Sequence, residues 1–576
     1  MAWRRWAPGI AALAILAAAC WPILGAGFCP WDDRLYTAEN PLVKNGLSLP
    51  AIVGAFTSTW ENNWSPLFWI FLAAQVSLAG GIFASVFHAV SVLLCLGNAV
   101  LLAAVARRFS LSLGVAVVVT ALYALHPLRV EAVAWISAQK HLLAAAFLLV
   151  SLLFYQQGAG RERLDGKSLV LSLLAYAASL LSSQIGVGFP VFLFLWEACR
   201  GSRSAFRDAF FRSAGYFLLA AAAAAVTLWV NWRPAAQAVP WFDHPLAHRL
   251  LQAAGSLGWQ AGAWVWPAGL AGFYPWPARQ IGLYALGGVL VLLAAAGLIW
   301  KFRKTDPLLV AGLGGFLACF FPVSGLLAMP IEFTADRLTY VPGLFLALAL
   351  GAGLQRAWGA GARWPVYACG AAALVLAPLS FRQAGFWRTE RRIVDRTLSL
   401  YPDSVPARIN DATLAGLEHD PEEALERFRE IRASHPLYEV VWSNEMTLLL
   451  QAGRTDEAIG VGREAVRHIP ASVPLNYRVG VLLLEADRPE EALEYLRRAR
   501  GLSPQSVQPA WQLARALVRT GRIKEALPIL ELLTLSLQGD PDYWDLRGEA
   551  HDRNGDWQQA AAARKAAASL RRKTAP

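Results

Sequence analysis

Over its first 380 or so residues the chain alternates long apolar runs with polar loops. After that, apolar and charged positions alternate at helical spacing. The apolar runs fall near 7–27, 82–105, 111–126, 141–156, 168–183, 186–199, 213–231, 281–300, 308–328, 339–354 and 365–380. They predict about eleven membrane-crossing helices, since about 20 apolar residues in helical form cross a hydrocarbon core about 30 Å thick. Several runs are shorter than that, so their ends are soft. The first run follows the basic start MAWRRW, as in a signal sequence. It is long enough to span and is read as an uncleaved first helix.

From about residue 385 a different period takes over. The segments DPEEAL (420–425), RTDEAI (454–459), RPEEAL (488–493), RIKEAL (522–527) and DWQQAA (556–561) place Ala424, Ala458, Ala492, Ala526 and Ala560 34 residues apart. Pro402, Pro436, Pro470 and Pro504 keep the same step. A 34-residue unit with a small residue at the helix contact and Pro closing the second helix resembles the tetratricopeptide repeat. The resemblance implies stacked helix pairs whose concave face binds a peptide or protein. Asn476, Tyr477 and Arg478 are the expected groove residues. The predicted fold is all-α: a polytopic transmembrane helix bundle over 1–384, then a tetratricopeptide-repeat α-solenoid over 385–576.

Composition supports a lipid environment for the first part. Hydrophobic residues make up 56% and mean hydropathy is +0.39, outside the range of an ordinary soluble domain. The net charge of +11 is carried largely by short loops between the runs, so topology accounts for it and a nucleic-acid partner is not expected. Arg4 and Arg5, Arg107 and Arg108, Arg161, Arg163 and Lys167, Arg200 to Arg212, Lys301 to Lys304, and Arg356 with Arg363 mark one face as cytoplasmic. The loops near 28–81, 126–140, 232–280 and 329–338 are poor in Lys and Arg and fall on the other face. An odd number of spans then places the repeats outside. High Ala, Arg and Trp with few Lys point to a bacterial inner membrane with the repeats in the periplasm. The six cysteines form no CxxC pair and are read as small buried hydrophobes.

The candidate chemistry lies in the outer loops. Asp32 and Asp33 directly follow the first span; such a pair serves as a general base or holds a divalent cation, and the sequence leaves metal dependence open. HPLRVEAVAWISAQKHLLA (126–144) brings His126, Arg129, Glu131 and Lys140 close to the bilayer, where ionisable groups are costly without partners or function. EFTADRLTYVPG (332–343) carries Glu332, Asp336, Arg337 and Tyr340, and Arg suits bidentate phosphate binding. Trp264, Trp266, Tyr274 and Trp276 offer an aromatic wall. Carboxylates, a phosphate-binding Arg and aromatics on one face suit transfer from a lipid-phosphate donor.

In this order, Asp32–Asp33 with Asn40–Pro41, WSPL (64–67), Phe87–His88, HPLRVEAVAW (126–135), ADRLTYVP (335–342) and the repeats resemble the transmembrane and tetratricopeptide-repeat O-mannosyltransferases and their bacterial relatives. The resemblance covers nearly the whole chain. It implies a C-type membrane glycosyltransferase fold, a polyprenyl-phosphate sugar donor (usually mannose), and transfer to Ser or Thr hydroxyls of an extracytoplasmic protein recruited by the repeats. It makes an aspartate of the pair the base, with Asp33 slightly favoured over Asp32. Arg337, with Arg129 and Lys140, would meet the donor phosphate; His126, Glu131, His88, Asp336 and Tyr340 would shape the site. The chain departs from the family pattern at Gln139 and His141, where Arg and Asp are usual, and at Ser183, where Lys is usual. Leu338 follows Arg337 in place of Tyr, and Cys95 and Leu96 lie where a second His is often found. Two other readings are a non-catalytic membrane scaffold for an envelope complex and transfer to a lipid-linked glycan.

Overall fold

The computed structural model describes residues 3–29, 31–60, 63–159, 165–200, 205–231, 245–327, 332–418 and 420–574. Arg161, Arg163 and Arg203 of the basic loops lie outside the described residues. Among the described residues every regular element is a helix. The chain divides into two compact units, Met1–Ala407 and Arg408–Pro576.

Among the described residues of the first unit seven helices are long and apolar enough to cross a membrane: Trp6–Gly25, Ala84–Arg108, Ile136–Gly158, Phe206–Val230, Ile281–Phe302, Asp336–Gly359 and Trp364–Phe386. The pair Leu113–Ala124 and Pro127–Ala134, bent by 63°, is apolar enough together and is a broken span or a re-entrant loop. Pro127 has no N–H to continue the first helix of that pair; Arg129 N–H donates to the His126 carbonyl at 2.8 Å, and the Leu125 carbonyl accepts from Ser380 Oγ at 2.6 Å. Pro66–Ala79, Gly166–Ser182 and Pro307–Val323 are apolar but shorter. Helices Leu246–Val265 and Ile281–Phe302 meet at glycine. A Cβ on Gly258 would stand 1.9 Å from the Tyr284 carbonyl oxygen, and one on Gly288 would stand 1.9 Å from that of Ala254.

The composition change near 385 precedes the boundary between the units. Ile393 is buried in the core of the first unit, Arg396 donates to the Ala268 carbonyl at 2.8 Å, and Gly272 N–H donates to Thr397 Oγ1 at 3.1 Å. The amphipathic helix Glu390–Leu400 therefore packs on the loop after Val265, and charged composition does not mark the end of that unit.

The second unit keeps the 34-residue period in its helices. Pro421–Ser434, Thr455–His468, Pro489–Leu502, Ile523–Leu537 and Trp557–Thr574 alternate with Glu439–Gln451, Val473–Glu485, Val507–Arg519 and Pro541–Asn554. The spaced alanines are all buried, where any larger side chain would push the helices apart. Gly453, Asp487, Gly521 and Gly555 occupy equivalent turns at φ of 72°, 56°, 74° and 85°. This left-handed residue ends one helix so that the next can begin. Exposed pairs Arg454–Glu422, Arg488–Asp456 and Arg522–Glu490 repeat from unit to unit; each contributes little in water. Asn476 is not a groove residue. It is fully buried and donates to the Pro470 and Ser472 carbonyls at 3.0 and 2.7 Å.

Candidate active site

The Asp pair divides its labour. Asp33 is wholly buried. Its Oδ2 accepts from Cys29 N–H at 2.8 Å, and its Oδ1 accepts from the N–H and hydroxyl of Ser137 at 2.9 and 2.8 Å. It ties the loop after the first long helix to the turn Ile136–Ala138, which opens the helix Gln139–Ala159. Burial pushes Asp33 up to about 7, against the pull of those three donors. Asp32 stands at the N-terminus of the short helix Asp33–Tyr36, half-buried, and among the described residues its carboxylate makes no hydrogen bond and no ion pair. Burial raises its pKa too, while Lys140 and Arg337 draw it down.

Those two cations arrive by separate routes. Lys140 lies one turn beyond Ser137, so the Asp33–Ser137 bonds set its register; its Nζ sits 5.5 Å from the ring centre of Tyr36, one turn after Asp32. Arg337 is held by carboxylates on either side. Its guanidinium pairs with Glu131 and, at 3.4 Å, with Glu332, and its backbone N–H donates to Glu131 at 2.9 Å. It lies 4.4 Å from the ring centre of Trp135, which packs against Trp31 and Trp387. Glu332 rises to about 7 because burial and Glu131 oppose the pull of Arg337. The structure thus brings together Asp32, Asp33, Lys140, Glu131, Glu332 and Arg337.

The other expected site residues sit elsewhere. Arg129 is fully buried, donating to the carbonyl and hydroxyl of Thr339 at 2.7 and 2.6 Å, with its guanidinium 5.0, 4.9 and 5.8 Å from the rings of Tyr123, Trp264 and Tyr340. Placed there it braces the turn Asp336–Thr339 from behind and is not offered to a phosphate. His126 bonds the Trp264 carbonyl at 3.0 Å and accepts from Leu128 N–H at 3.2 Å. Tyr340 accepts from Asn98 at 3.3 Å, and its own carbonyl accepts from Tyr123 at 2.6 Å. Asp336 accepts from Tyr274 at 2.9 Å. His88 bonds the Gly27 carbonyl at 2.9 Å and anchors the loop that carries the Asp pair. These five residues support the fold around the site.

Sequence reading missed Ser137, Tyr36 and Thr339, which position Asp33, Lys140 and Arg129. Helical spacing from Asp32 would have flagged Tyr36; nothing in the sequence flags a lone Ser or Thr. Two of the departures from the family pattern touch each other: His141 Nδ1 and Ser183 Oγ are 3.2 Å apart. Gln139 binds Gln75, Ser91 and the Phe87 carbonyl at 2.7, 3.0 and 3.0 Å. The donor set does not suit a divalent cation. Both oxygens of Asp33 already accept from N–H or O–H, and Asp32 faces two cations. Among the described residues no three His, Cys, Asp or Glu converge on one point.

Comparison with known proteins reaches the repeats. No curated protein matches the chain. Solved structures similar to it include YrrB, a TPR protein with an unusual peptide-binding site, at 19% identity and TM-score 0.29, covering 31% of this chain and 93% of that one. MamA (41-end) from Desulfovibrio magneticus RS-1 aligns at 18% identity and TM-score 0.28, covering 30% and 98%. The pilF protein of Pseudomonas aeruginosa aligns at 21% identity and TM-score 0.27, covering 30% and 79%. Residues 483–550 match the tetratricopeptide-repeat family, and the C-terminal part of this chain carries tetratricopeptide repeats.

Proposed function

We propose that the chain is a membrane glycosyltransferase that moves a sugar, mannose by family resemblance, from a polyprenyl-phosphate donor to hydroxyls of an extracytoplasmic protein, with the repeats recruiting that acceptor. The observation that carries this reading is the half-buried carboxylate of Asp32, without a hydrogen bond among the described residues and in the field of Lys140 and Arg337. In the proposed step Asp32 takes the proton of the acceptor hydroxyl as its oxygen bonds to the sugar anomeric carbon. The bond from that carbon to the phosphate oxygen breaks, and the phosphate keeps the electron pair. Arg337 and Lys140 stabilise the charge that develops on the leaving phosphate, an effect that is strong where water is scarce. Asp32 is preferred here to Asp33, whose oxygens are engaged in holding the loop. Leucines exposed along Ile281–Phe302, such as Leu283, Leu286, Leu290 and Leu293, support a membrane setting, because lipid removes the cost of exposing them to water. The bacterial inner membrane with periplasmic repeats remains the proposed location.

A second reading is a membrane-anchored scaffold, which the tetratricopeptide match suits on its own. The deciding experiment reconstitutes the full chain with polyprenyl-phosphate mannose and an extract of periplasmic proteins. It compares wild type with Asp32→Asn and Arg337→Ala. Sugar incorporated into protein by wild type and lost in both variants supports the transferase. Donor turnover into a lipid product redirects the proposal to a lipid-linked glycan acceptor. No turnover by folded protein favours the scaffold.

A further inference from the structure

Two cavities are lined by successive turns of the helix Trp364–Phe386. The first is an apolar groove of about 430 Å³, lined by Val119, Leu346, Leu350, Val375 and Leu379 and by the segment Trp264–Pro267. The second is a cleft of about 520 Å³ lined by Arg382, Phe386, Arg392 and Arg396, with Asp395 at its side. Leu379 of the groove and Arg382 of the cleft are three residues apart on one helix face. Pro267 of the groove precedes Ala268, whose carbonyl accepts from Arg396 at 2.8 Å.

The arginines of the cleft are short of counter-charge. Arg382, Arg392 and Arg396 make no ion pair among the described residues, and Asp395 is paired with Arg391 at 3.8 Å. Arg392 donates to the Gly385 carbonyl at 3.5 Å, and the guanidinium of Arg396 lies 4.9 Å from the Phe386 ring, with its Nε buried and unpartnered. Arg382 approaches the same ring at 5.9 Å. This cluster is at the end of the helical unit where Asp32 lies: Gly27 N–H donates to the Arg388 carbonyl at 3.2 Å, and Trp387 packs 5.9 Å from Trp31. The loop charges predict that end to be non-cytoplasmic, where an excess of arginine is disfavoured. Arg382, Arg388, Arg391, Arg392 and Arg396 nevertheless outnumber Glu390 and Asp395 there. Three guanidiniums without an ion pair among the described residues make the cleft favourable for an anion, and their planar forks match phosphate oxygens.

We propose that groove and cleft together form a binding site for one anionic glycerophospholipid, with an acyl chain in the groove and its phosphate among Arg382, Arg392 and Arg396. Lys140 and Arg337 belong to the candidate active site, so these three are additional to it. The inference stands on the lipid setting alone and does not require the transferase reading.

The test follows lipid retention on the purified full chain in mild detergent by native mass spectrometry. The probes are phosphatidylglycerol, phosphatidylcholine of the same chains, and a polyprenyl monophosphate. Wild type is expected to retain phosphatidylglycerol about tenfold better than phosphatidylcholine, whose choline cation offsets the phosphate charge that the arginines meet; each basic residue near anionic lipid is worth about 1 kcal/mol. The double variant Arg382→Gln/Arg392→Gln is expected to lose that preference at an unchanged thermal midpoint, because Arg396 stays in place to bond Ala268. Leu379→Trp is expected to weaken both phospholipids by filling the groove. Equal retention of the two phospholipids by wild type, or a preference that survives in the double variant, overturns the proposal. So does retention of polyprenyl monophosphate with exclusion of phosphatidylglycerol, which would make this a donor-lipid site.

Discussion

Arg337 is bound to Glu131 twice, once through its guanidinium and once through its backbone N–H, so one buried carboxylate fixes both the charge and the chain that carries it. Glu131 comes from the bent segment Pro127–Ala134 and Arg337 from the turn 206 residues later. Their pairing closes one side of the candidate site. Replacing Glu131 by Gln keeps an acceptor for the backbone N–H but leaves Arg337 paired only with Glu332. The expected loss is about 3 kcal/mol, at the low end for breaking a buried pair, because Glu332 and Trp135 remain. Equilibrium unfolding in detergent checks it; a change below about 1 kcal/mol, the scale of an exposed pair, would show that the bond is not structural.

Asp32 and Asp33 are adjacent but are expected to fail differently. Asp32→Asn is expected to abolish transfer at unchanged stability, because its carboxylate holds nothing in place. Asp33→Asn is expected to lower stability, because it weakens the bonds to Cys29 and Ser137. Since burial raises Asp32 above an ordinary carboxylate, transfer by wild type is expected to fall with falling pH before free aspartate would protonate, above about 3.9. A pH–rate profile measures this; an acid limb at or below that value counts against Asp32 as base.

Asp33 also makes stability depend on pH. Its pKa is about 7 in the fold and about 3.9 in an unfolded chain, so between those values the folded state holds the extra proton. Its contribution to stability therefore falls as pH rises from about 4 to about 7 and is flat above. Thermal midpoints at pH 5 and pH 8 are expected to differ more for wild type than for Asp33→Asn. Identical differences in the two proteins would remove Asp33 as the cause.

Arg129 is expected to be a structural cation. Arg129→Lys keeps the charge but loses the fork to Thr339 and the planar stack among Tyr123, Trp264 and Tyr340. A stability loss of about 3 kcal/mol is expected, with donor KM unchanged. A large rise in donor KM at unchanged stability would instead return Arg129 to the phosphate.

In the repeats, Asp487 occupies at φ 56° the position that glycine fills at 453, 521 and 555. Asp487→Gly is expected to leave the repeats folded and to stabilise them by about 1 kcal/mol, the relief of a left-handed side-chain residue. Thermal unfolding of the full chain reads this; a lower midpoint would mean that the Asp487 side chain contributes more than its backbone costs.

How much was legible in advance depends on the range of the interaction. The repeat period, the spaced alanines and the apolar runs are local patterns, and local patterns follow from side-chain volume and polarity alone. The residue types of the site were legible for the same reason: Asp32, Lys140, Glu131 and Arg337 are ionisable groups beside apolar runs. Their division of labour was not. Asp33 and Asp32 are the same residue type in sequence, and only the turn at Ser137, 104 residues away, makes one a tether and leaves the other free. Arg129 and Arg337 likewise look alike as phosphate ligands until Thr339 captures one and Glu131 orients the other.

The sequence by itself determined the helical class, the repeat array and the set of ionisable residues near the first unit's apolar helices, because spacing and polarity are properties of neighbouring residues. Tertiary structure alone decided which carboxylate is unbonded among the described residues, which arginine is held between carboxylates, and that the helix Glu390–Leu400 packs with the first unit. Each of those outcomes depends on a buried hydrogen bond or contact between residues far apart in the chain, and no local pattern encodes such a partner.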